Sequence, residues 1–384
     1  MRKIQYVIVI FFCVSILFSC LSFYGFIEGI PIYDTASSDL VNNFFLFKVV
    51  IFTFGIFYFL FKKNLTNSYL IFVTTRAKFA IFSFFVFSFF NWSVLFIKYF
   101  LPGFPLSLFD KNIYDNMGLL LIVYNISSIG CLFFIFSYIS LNRVNIWLGF
   151  LLFFLCALFS FKLSRIALIS NISTFFFLWV YFQKLSNWFK FLIILISLSF
   201  IISFNINDFI NLRSEVTTNR SAKVQLSPAS IIDLYLGSPR YQAKLGEVNY
   251  TFNEILNSVI APIPIIFRKY SNSHVNSVDL FNYSIYSNYI VKDQVPMFYF
   301  DLFRVFGFPL SFIIWMYYIF ILHKFSSSIN HWNVYLTFKM LFFSIFSFEG
   351  ISITILNDIL PFFVLHFLFT RKKIIKNYNQ TILS

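Results

Sequence analysis

The stretch YVIVIFFCVSILFSCLSFYGF, residues 6–26, contains no charged residue. A helix needs about 20 apolar residues to cross the roughly 30 Å hydrocarbon core of a bilayer. The stretch is longer than the apolar core of a secretory signal, and no small-residue cleavage site follows it. It therefore predicts a membrane-spanning helix that is retained in the protein.

The rest of the chain has a similar composition. Of 384 residues, 59% are hydrophobic and 11% are charged, with a mean hydropathy of +0.80, whereas a soluble domain carries about 25% charged residues. The 62 Phe are interpreted as lipid-facing side chains rather than as an aromatic cofactor site. The four Cys lie in apolar runs and the four His are scattered, which predicts no disulfide framework, metal site or cofactor.

The same length criterion predicts roughly ten spans along the chain. They lie near residues 6–26, 43–61, 79–97, 117–140, 146–161, 166–182, 188–204, 299–322, 334–348 and 351–370. The predicted fold class is an all-α polytopic membrane protein. Its predicted parts are spans one to seven (1–204), a large outer loop containing short helices (205–297), and spans eight to ten with a basic cytoplasmic tail (298–384). Residues 162–165 and the pair Glu349-Gly350 are predicted to be tight turns between short antiparallel helices.

The distribution of cations predicts that both termini lie in the cytoplasm. The short outer loops then hold Lys98, Lys111, Lys162 and Arg165. The cytoplasmic segments hold Arg2, Lys3, Lys62, Lys63, Arg76, Lys78, Arg143, Lys184, Lys190, Lys324, Arg371, Lys372, Lys373 and Lys376, which is 14 cations against 4. Cytoplasmic loops of membrane proteins carry such an excess of Lys and Arg. None of the 15 acidic residues falls in a predicted cytoplasmic loop.

The segment 205–297 is too long to be a simple connection between two spans. Loops of this length are usually functional or disordered. This one contains apolar stretches at 231–236 and 255–267, and the second includes Pro262 and Pro264. That second stretch is too short and too interrupted to span, which favours a re-entrant or interfacial helix. We therefore expect the loop to fold back over the outer mouth of the helix bundle.

Arginines on the predicted outer side are candidates for binding a lipid-linked pyrophosphate. The guanidinium group binds two phosphate oxygens at once, which the lysine ammonium cannot do. The alternative is that these residues contact lipid headgroups as ordinary surface charges. The set consists of Arg165, Arg213, Arg220, Arg240 and Arg268.

The predicted catalytic base is also on the outer side. His274 is the single histidine there, and imidazole titrates near neutrality, so it could accept a proton from a sugar hydroxyl. Glu254, Asp279 and Asp301 are the acidic alternatives. Asp301 has a further interpretation, as the partner of Arg304 in an ion pair one helical turn apart.

The last predicted span contains one acidic residue, Asp358. Charges within a membrane are costly and usually pair with one another or face a water-filled cavity. Asp358 is therefore predicted either to pair with Lys339 of the preceding span or to line such a cavity.

Two short motifs resemble the O-antigen polymerases, the Wzy-type polymerases of oligosaccharide repeat units. One is the Ser164-Arg165 step that enters a helix, and the other is YFDLFRVFG, residues 299–307. The layout of many Phe/Ile-rich spans with one large late outer loop resembles the same family. The related ligases place a His-Asn pair before a G-x-x-G motif. Here Val295-Pro296 stand at that place and Leu310 replaces the second glycine, which argues against a ligase.

The resemblance implies a metal-independent glycosyltransferase of the bacterial cytoplasmic membrane. Donor and acceptor would be undecaprenyl-pyrophosphate-linked oligosaccharides, and a chain-length regulator would be a partner besides the membrane lipids; no nucleic acid is expected. The absence of a nucleotide-binding motif agrees, because the energy would come from the pyrophosphate. Two alternatives remain, a flippase for lipid-linked oligosaccharides and a membrane acyltransferase that modifies polysaccharide.

Overall fold

The computed structural model is a bundle of apolar helices. It describes residues 2–27, 37–62, 70–72, 75–104, 107, 113, 116–160, 165–182, 233, 236–243, 251–260, 280, 297–327, 330–343, 348–369 and 371–373. The helices are α1 (Arg2–Phe23), α2 (Ser38–Phe61), α3 (Thr75–Tyr99), α4 (Leu120–Leu141), α5 (Ile146–Ser160), α6 (Arg165–Phe182), α7 (Pro239–Ala243), α8 (Phe252–Ile260), α9 (Phe298–Ser326), α10 (His331–Phe343), α11 (Phe348–Thr354) and α12 (Leu360–Phe369). A π-helical turn, Ile355–Ile359, joins α11 to α12, and two strands, β1 (Leu70–Phe72) and β2 (Arg371–Lys373), pair with each other.

Several of these helices are long enough to cross a membrane. Within the described residues there are six, at Ile4–Phe23, Ser38–Phe61, Ala77–Tyr99, Leu120–Leu141, Phe298–Ser326 and Gly350–Phe369. The protein is therefore a multi-pass α-helical membrane protein. Helices α5 and α6 are apolar but shorter, and α10 has 13 residues where a span is predicted at 334–348. The predicted span 188–204 lies outside the described residues, so the count of ten stays a prediction.

Helices form here because lipid offers no hydrogen-bond partners to the backbone, and a helix satisfies its own N–H and C=O groups. Helix α1 shows how one such helix packs. Its buried positions follow one stripe with spacings of three and four residues, which is the face that a helix presents to its neighbours. Apart from Gln5, the buried residues are apolar in the first half and serines in the second: Ile4, Ile8, Phe12, Ser15, Ser19 and Ser22.

Phenylalanine has two roles in the bundle rather than the single lipid-facing role predicted for it. Side chains such as Phe79 and Phe367 are exposed on the outside of the bundle. Others form the core between α1, α2 and α9, where the rings of Phe12 and Phe52 lie 4.9 Å apart and Phe52 stacks on Trp315 at 5.3 Å. Composition could not separate the two roles, because a phenylalanine is equally compatible with lipid and with a protein interior.

The two strands define one end of the bundle. They pair antiparallel with Leu70 opposite Lys373 and Phe72 opposite Arg371. Because β1 follows α2 and β2 follows α12, these helices end close together; we call this the strand end. The opposite end, where α1 ends and α2 and α9 begin, is called the loop end. The all-helical prediction omitted the strands, since three residues are too few for an alternating pattern.

Helix α9 is interrupted at Gly307, which has φ 67° and ψ −174°. This backbone conformation is accessible to glycine almost alone. The interruption separates a short first part, which carries Asp301 and Arg304, from a longer second part that follows Gly307. The eighth predicted span therefore begins with a separate helical piece at the loop end.

The prediction of a turn at Glu349-Gly350 is wrong. Both residues lie inside α11, which begins at Phe348. The turn predicted at 162–165 falls largely on residues outside the described set, and α6 begins at its last residue, Arg165.

Candidate functional site at the loop end

A piece of the long loop lies inside the helix bundle at the loop end. Residues 236–243, which we call the docked segment, end in the short helix α7 and contact both α1 and α2. Pro239, Tyr241, Gln242 and Ala243 are all buried. Gly237 has φ +80°, a left-handed conformation that favours glycine. A Cβ atom at this position would lie only 2.7 Å from the Tyr299 hydroxyl oxygen, so a side chain would also collide with α9.

The side chain of Lys48 fastens the docked segment to α1 and α2. Its ammonium donates to the Ser19 hydroxyl at 2.7 Å, to the Leu236 carbonyl at 2.8 Å and to the Gly237 carbonyl at 2.9 Å. An ammonium group has three N–H donors, so all three are used. Lys48 is fully buried although it lies ten residues into α2. Its side chain leans toward the start of the helix, as helical side chains do, and so reaches the loop end.

Hydroxyl groups of α1 continue this contact. The Ser15 hydroxyl donates to the Leu236 carbonyl at 3.4 Å, and the Ser22 and Ser238 hydroxyls lie 3.4 Å apart. The serine half of the α1 stripe is thus the surface against which the docked segment packs. Small hydroxyl side chains allow this close approach and supply hydrogen bonds where lipid supplies none.

Asp233, just before the docked segment, is a second buried charge at this place. The Asp233 side chain is buried, and the Ser22 and Ser238 hydroxyls lie close to its carboxylate. Burial raises the pKa of the Asp233 carboxyl above its usual range, and the nearby Lys48 ammonium offsets the increase in part. Lys48 and Asp233 therefore compensate each other's charge in an environment where either alone would be costly.

Asp301 and Arg304 form an ion pair at the start of α9. The Arg304 Nη1 and Asp301 Oδ1 atoms are 2.6 Å apart, and the two side chains are 4% and 0% exposed. This confirms the predicted pairing one turn apart, but the pair is buried rather than at a lipid interface. The Arg304 Nη2 group donates to the Gln242 carbonyl, and the guanidinium carbon lies 5.0 Å from the centre of the Phe44 ring.

Gln242 links the docked segment to α9 in two ways. Besides its carbonyl, which accepts from Arg304, its Oε1 atom accepts from the Met297 backbone N–H at 3.0 Å. Met297 directly precedes α9, whose first N–H groups have no partners within the helix. The side chain of Gln242 therefore caps α9 while its backbone orients Arg304.

Glu254 has a structural role in the helix that contains it. Its carboxylate accepts from the Thr251 backbone N–H at 2.8 Å and from the Thr251 hydroxyl. This is the arrangement of a capping box at the start of α8. The neighbouring Phe252 ring lies 5.9 Å from that of Phe306, one residue before the Gly307 interruption, so α8 also belongs to the loop end.

The other predicted site residues are described in part. Arg240 is half-buried within the docked segment, two residues before Gln242. Arg165 is the first residue of α6, and its side chain is outside the described residues, as are three arginines and the predicted base: Arg213, Arg220, Arg268 and His274. Arg240 thus lies in the segment that contacts the Asp301–Arg304 pair, and Glu254 lies on a neighbouring helix.

No role was predicted for Lys48 or Asp233 from the sequence. The signal for Lys48 was available, because it is the one charge in the apolar run between Asp39 and Lys62, and an ionisable residue within a span is by default a functional candidate. Asp233 falls within the apolar stretch 231–236, where an acidic side chain is equally unexpected.

A second buried ion pair lies away from the loop end. Lys339 Nζ of α10 is 2.7 Å from Asp358 Oδ2 in the π-helical turn, with the side chains 1% and 4% exposed. This confirms the first of the two alternatives predicted for Asp358, its pairing with Lys339. The Tyr335 ring lies over the ammonium, 5.3 Å from ring centre to nitrogen. π-Helical turns within α-helices are frequent at functional sites.

The described residues contain no group of three or more His, Cys, Asp or Glu arranged to hold a metal ion. Comparisons of the chain with protein-family models, with curated proteins and with solved structures found no match. The resemblance of Ser164-Arg165 and residues 299–307 to the O-antigen polymerases therefore stays a prediction.

Proposed function

We propose that the protein is a Wzy-type polymerase, which joins lipid-linked oligosaccharide repeat units at the loop end of the bundle. The observation that supports this most is the docked segment. It contains Arg240 of the long loop, and its Gln242 carbonyl accepts from Arg304 of the family-like motif. A polymerase needs such a meeting of loop and membrane helices, because its substrates have a lipid part in the membrane and a sugar part outside.

The proposed orientation has the loop end on the outer side of the bacterial cytoplasmic membrane. The excess of cations in the predicted cytoplasmic segments supports it. The pairing of β1 with β2 agrees, since it joins the segment after α2 and the C-terminal tail, which are both predicted to be cytoplasmic. The docked segment lies at the opposite end.

The proposed reaction is a transfer between two lipid-linked saccharides. A base removes the proton from a hydroxyl of the acceptor sugar, and the oxygen attacks the first carbon of the donor chain. The bond from that carbon to the pyrophosphate oxygen breaks, leaving undecaprenyl pyrophosphate. His274, Glu254 and Asp301 are the proposed candidates for the base. The arginines Arg165, Arg213, Arg220, Arg240 and Arg268 would offset the charge that develops on the leaving group.

A flippase is the second candidate, and one observation favours it. The Lys339–Asp358 pair is buried within the helices, next to a π-helical turn. Ion pairs inside a membrane often mark transport pathways. The third reading, a membrane acyltransferase, gains no support from the described residues.

Deleting the gene separates a polymerase from a flippase. Loss of a polymerase should leave single repeat units on the cell surface and no ladder of longer chains, because units still cross the membrane. Loss of a flippase should leave the units on the inner leaflet. In the decisive assay, purified protein is incubated with the lipid-linked repeat unit in detergent, without nucleotide or added metal. A ladder on a gel supports polymerisation; its absence together with units on the inner leaflet contradicts it.

Arginine variants test the binding of the pyrophosphate. Arg240→Ala should abolish long polymer while the protein remains in the membrane, and Arg240→Lys should restore activity only in part, because an ammonium cannot hold two oxygens at once. Arg165→Ala and Arg268→Ala should behave alike. The matched control is Lys98→Ala, which removes an exposed cation from the end of α3. Normal polymer length in all three alanine variants would show that these arginines are ordinary surface charges.

A further inference from the structure

The buried network at the loop end connects a lysine of α2 to the ion pair of α9. We propose that Lys48 is a positioning residue for the Asp301–Arg304 pair, acting through the docked segment that it holds inside the bundle. The role in transfer rests on the proposed function, whereas the docking itself does not.

The first step is the contact between Lys48 and the docked segment. Two of its three hydrogen bonds go to backbone carbonyls, those of Leu236 and Gly237. A backbone carbonyl that is buried away from water needs a hydrogen-bond donor, and here Lys48 is that donor. A charged donor forms stronger hydrogen bonds than a neutral one. Lys48 therefore holds the backbone of the segment rather than any one side chain.

The second step is the short path from this contact to Gln242. The Gln242 N–H donates to the Ser238 carbonyl at 3.1 Å, so one turn of helix joins the two places. Gly237 packs closely against α9, since a Cβ atom at this position would lie 2.7 Å from the Tyr299 hydroxyl oxygen. A shift of the backbone at Gly237 should therefore also move Gln242, because one helical turn connects the two residues.

The third step is the orientation of Arg304. Its guanidinium lies between the Asp301 carboxylate and the Gln242 carbonyl, above the Phe44 ring. The Gln242 carbonyl fixes the second edge of the guanidinium. If the docked segment leaves, Arg304 loses this partner and α9 loses the Gln242 cap at Met297. The Asp301–Arg304 pair then keeps its charges but loses its fixed orientation.

The presence of a fully buried lysine at this position supports a positioning role. A methionine or leucine would fill the same space without the cost of burying a charge, and apolar replacements of buried ionic groups are often neutral or stabilising. Asp233 compensates the charge, but it is itself part of the loop that Lys48 holds. The buried pair of Lys48 and Asp233 is therefore best explained by its effect on the position of the docked segment.

The first experiment measures docking without any assay of activity. Ser22→Cys and Ser238→Cys, whose hydroxyls are 3.4 Å apart, should form a disulfide in a protein whose four native cysteines are replaced. Adding Lys48→Met should slow cross-linking about tenfold or more, since the loss of even one charged hydrogen bond corresponds to about that factor. The control is Val50→Met, which adds the same side chain on an exposed position of α2.

The second experiment follows the other end of the segment. Ala243→Cys replaces a fully buried alanine with a side chain of similar size. A water-soluble maleimide should label it slowly in the presence of Lys48 and about tenfold faster with Lys48→Met. Gly237→Ala should increase the labelling of Ala243→Cys in the same way, although it changes no residue of α2. This variant replaces Lys48→Met in the experiment if Lys48→Met does not accumulate in the membrane.

The third experiment links docking to transfer. In the ladder assay Lys48→Met should lower kcat more than it changes KM, and Lys48→Arg should recover part of both docking and kcat. Cross-linking and labelling equal to those of Val50→Met would overturn the proposal, and loss of docking with unchanged kcat would overturn the positioning role. If the unaltered protein makes no ladder, the proposed function fails while cross-linking still decides whether Lys48 holds the segment.

Discussion

Removing one partner of the Lys339–Asp358 pair should destabilise the protein strongly. The two charged atoms are 2.7 Å apart and the side chains are 1% and 4% exposed, so water screens them little. Charges about 4 Å apart at an effective dielectric constant of about 20 interact by about 4 kcal/mol. Breaking a buried pair by removing one partner costs about 3–5 kcal/mol, since the remaining charge stays buried. We therefore expect Lys339→Met to lower the free energy of unfolding by about 3–5 kcal/mol.

A double-mutant cycle measures this coupling. Asp358→Asn should be destabilising by itself, but the variant with both changes should cost less than the sum, by about 2 kcal/mol or more, because it leaves neither charge unpaired. Unfolding would be followed by titrating a denaturing detergent into mixed micelles. The matched control is Lys324→Met on the exposed end of α9, which should change stability by about 0.5 kcal/mol or less. If Lys339→Met behaves like this control, or if the two changes are additive, the reasoning is wrong.

Three further predictions concern packing, protonation and topology. Gly149→Ala should cost about 1–3 kcal/mol, because the added methyl group meets the Trp179 ring, and adding Trp179→Phe should recover part of the loss; equal thermal stability of the variant and the unaltered protein would contradict this packing. The raised pKa of Asp233 means that the folded state binds this proton more tightly than the unfolded state, so its contribution to stability is lost as pH rises above the usual carboxyl range. Asp233→Asn should therefore flatten the decline in thermal stability as the pH rises above the usual carboxyl range, and an unchanged slope would show that Asp233 does not cause this decline. Reporter fusions after Lys373 should report the cytoplasm and fusions near Lys223 the outer side; a cytoplasmic signal near Lys223 would overturn the orientation and the proposed function with it.

Much of the helical architecture could be predicted from the sequence. An uncharged run such as residues 6–26 has few alternatives in a membrane, because an unpaired backbone group in lipid costs several kcal/mol. The same scarcity of partners made the Lys339–Asp358 pair predictable. Two isolated charges in neighbouring apolar segments have few other ways to avoid that cost. The i,i+3 spacing likewise predicted the pairing of Asp301 with Arg304, since helix geometry alone brings such residues together.

The loop end, by contrast, was decided by tertiary structure. Lys48 binds the carbonyls of Leu236 and Gly237, and every residue has a carbonyl, so nothing in the sequence marks these two as its partners. The contact of Gln242 with Arg304 is hidden for the same reason. Local patterns report the face that a helix buries and the charges that need a partner. Which backbone reaches a buried charge depends on how the whole chain packs, and that is set by contacts between residues nearly two hundred positions apart.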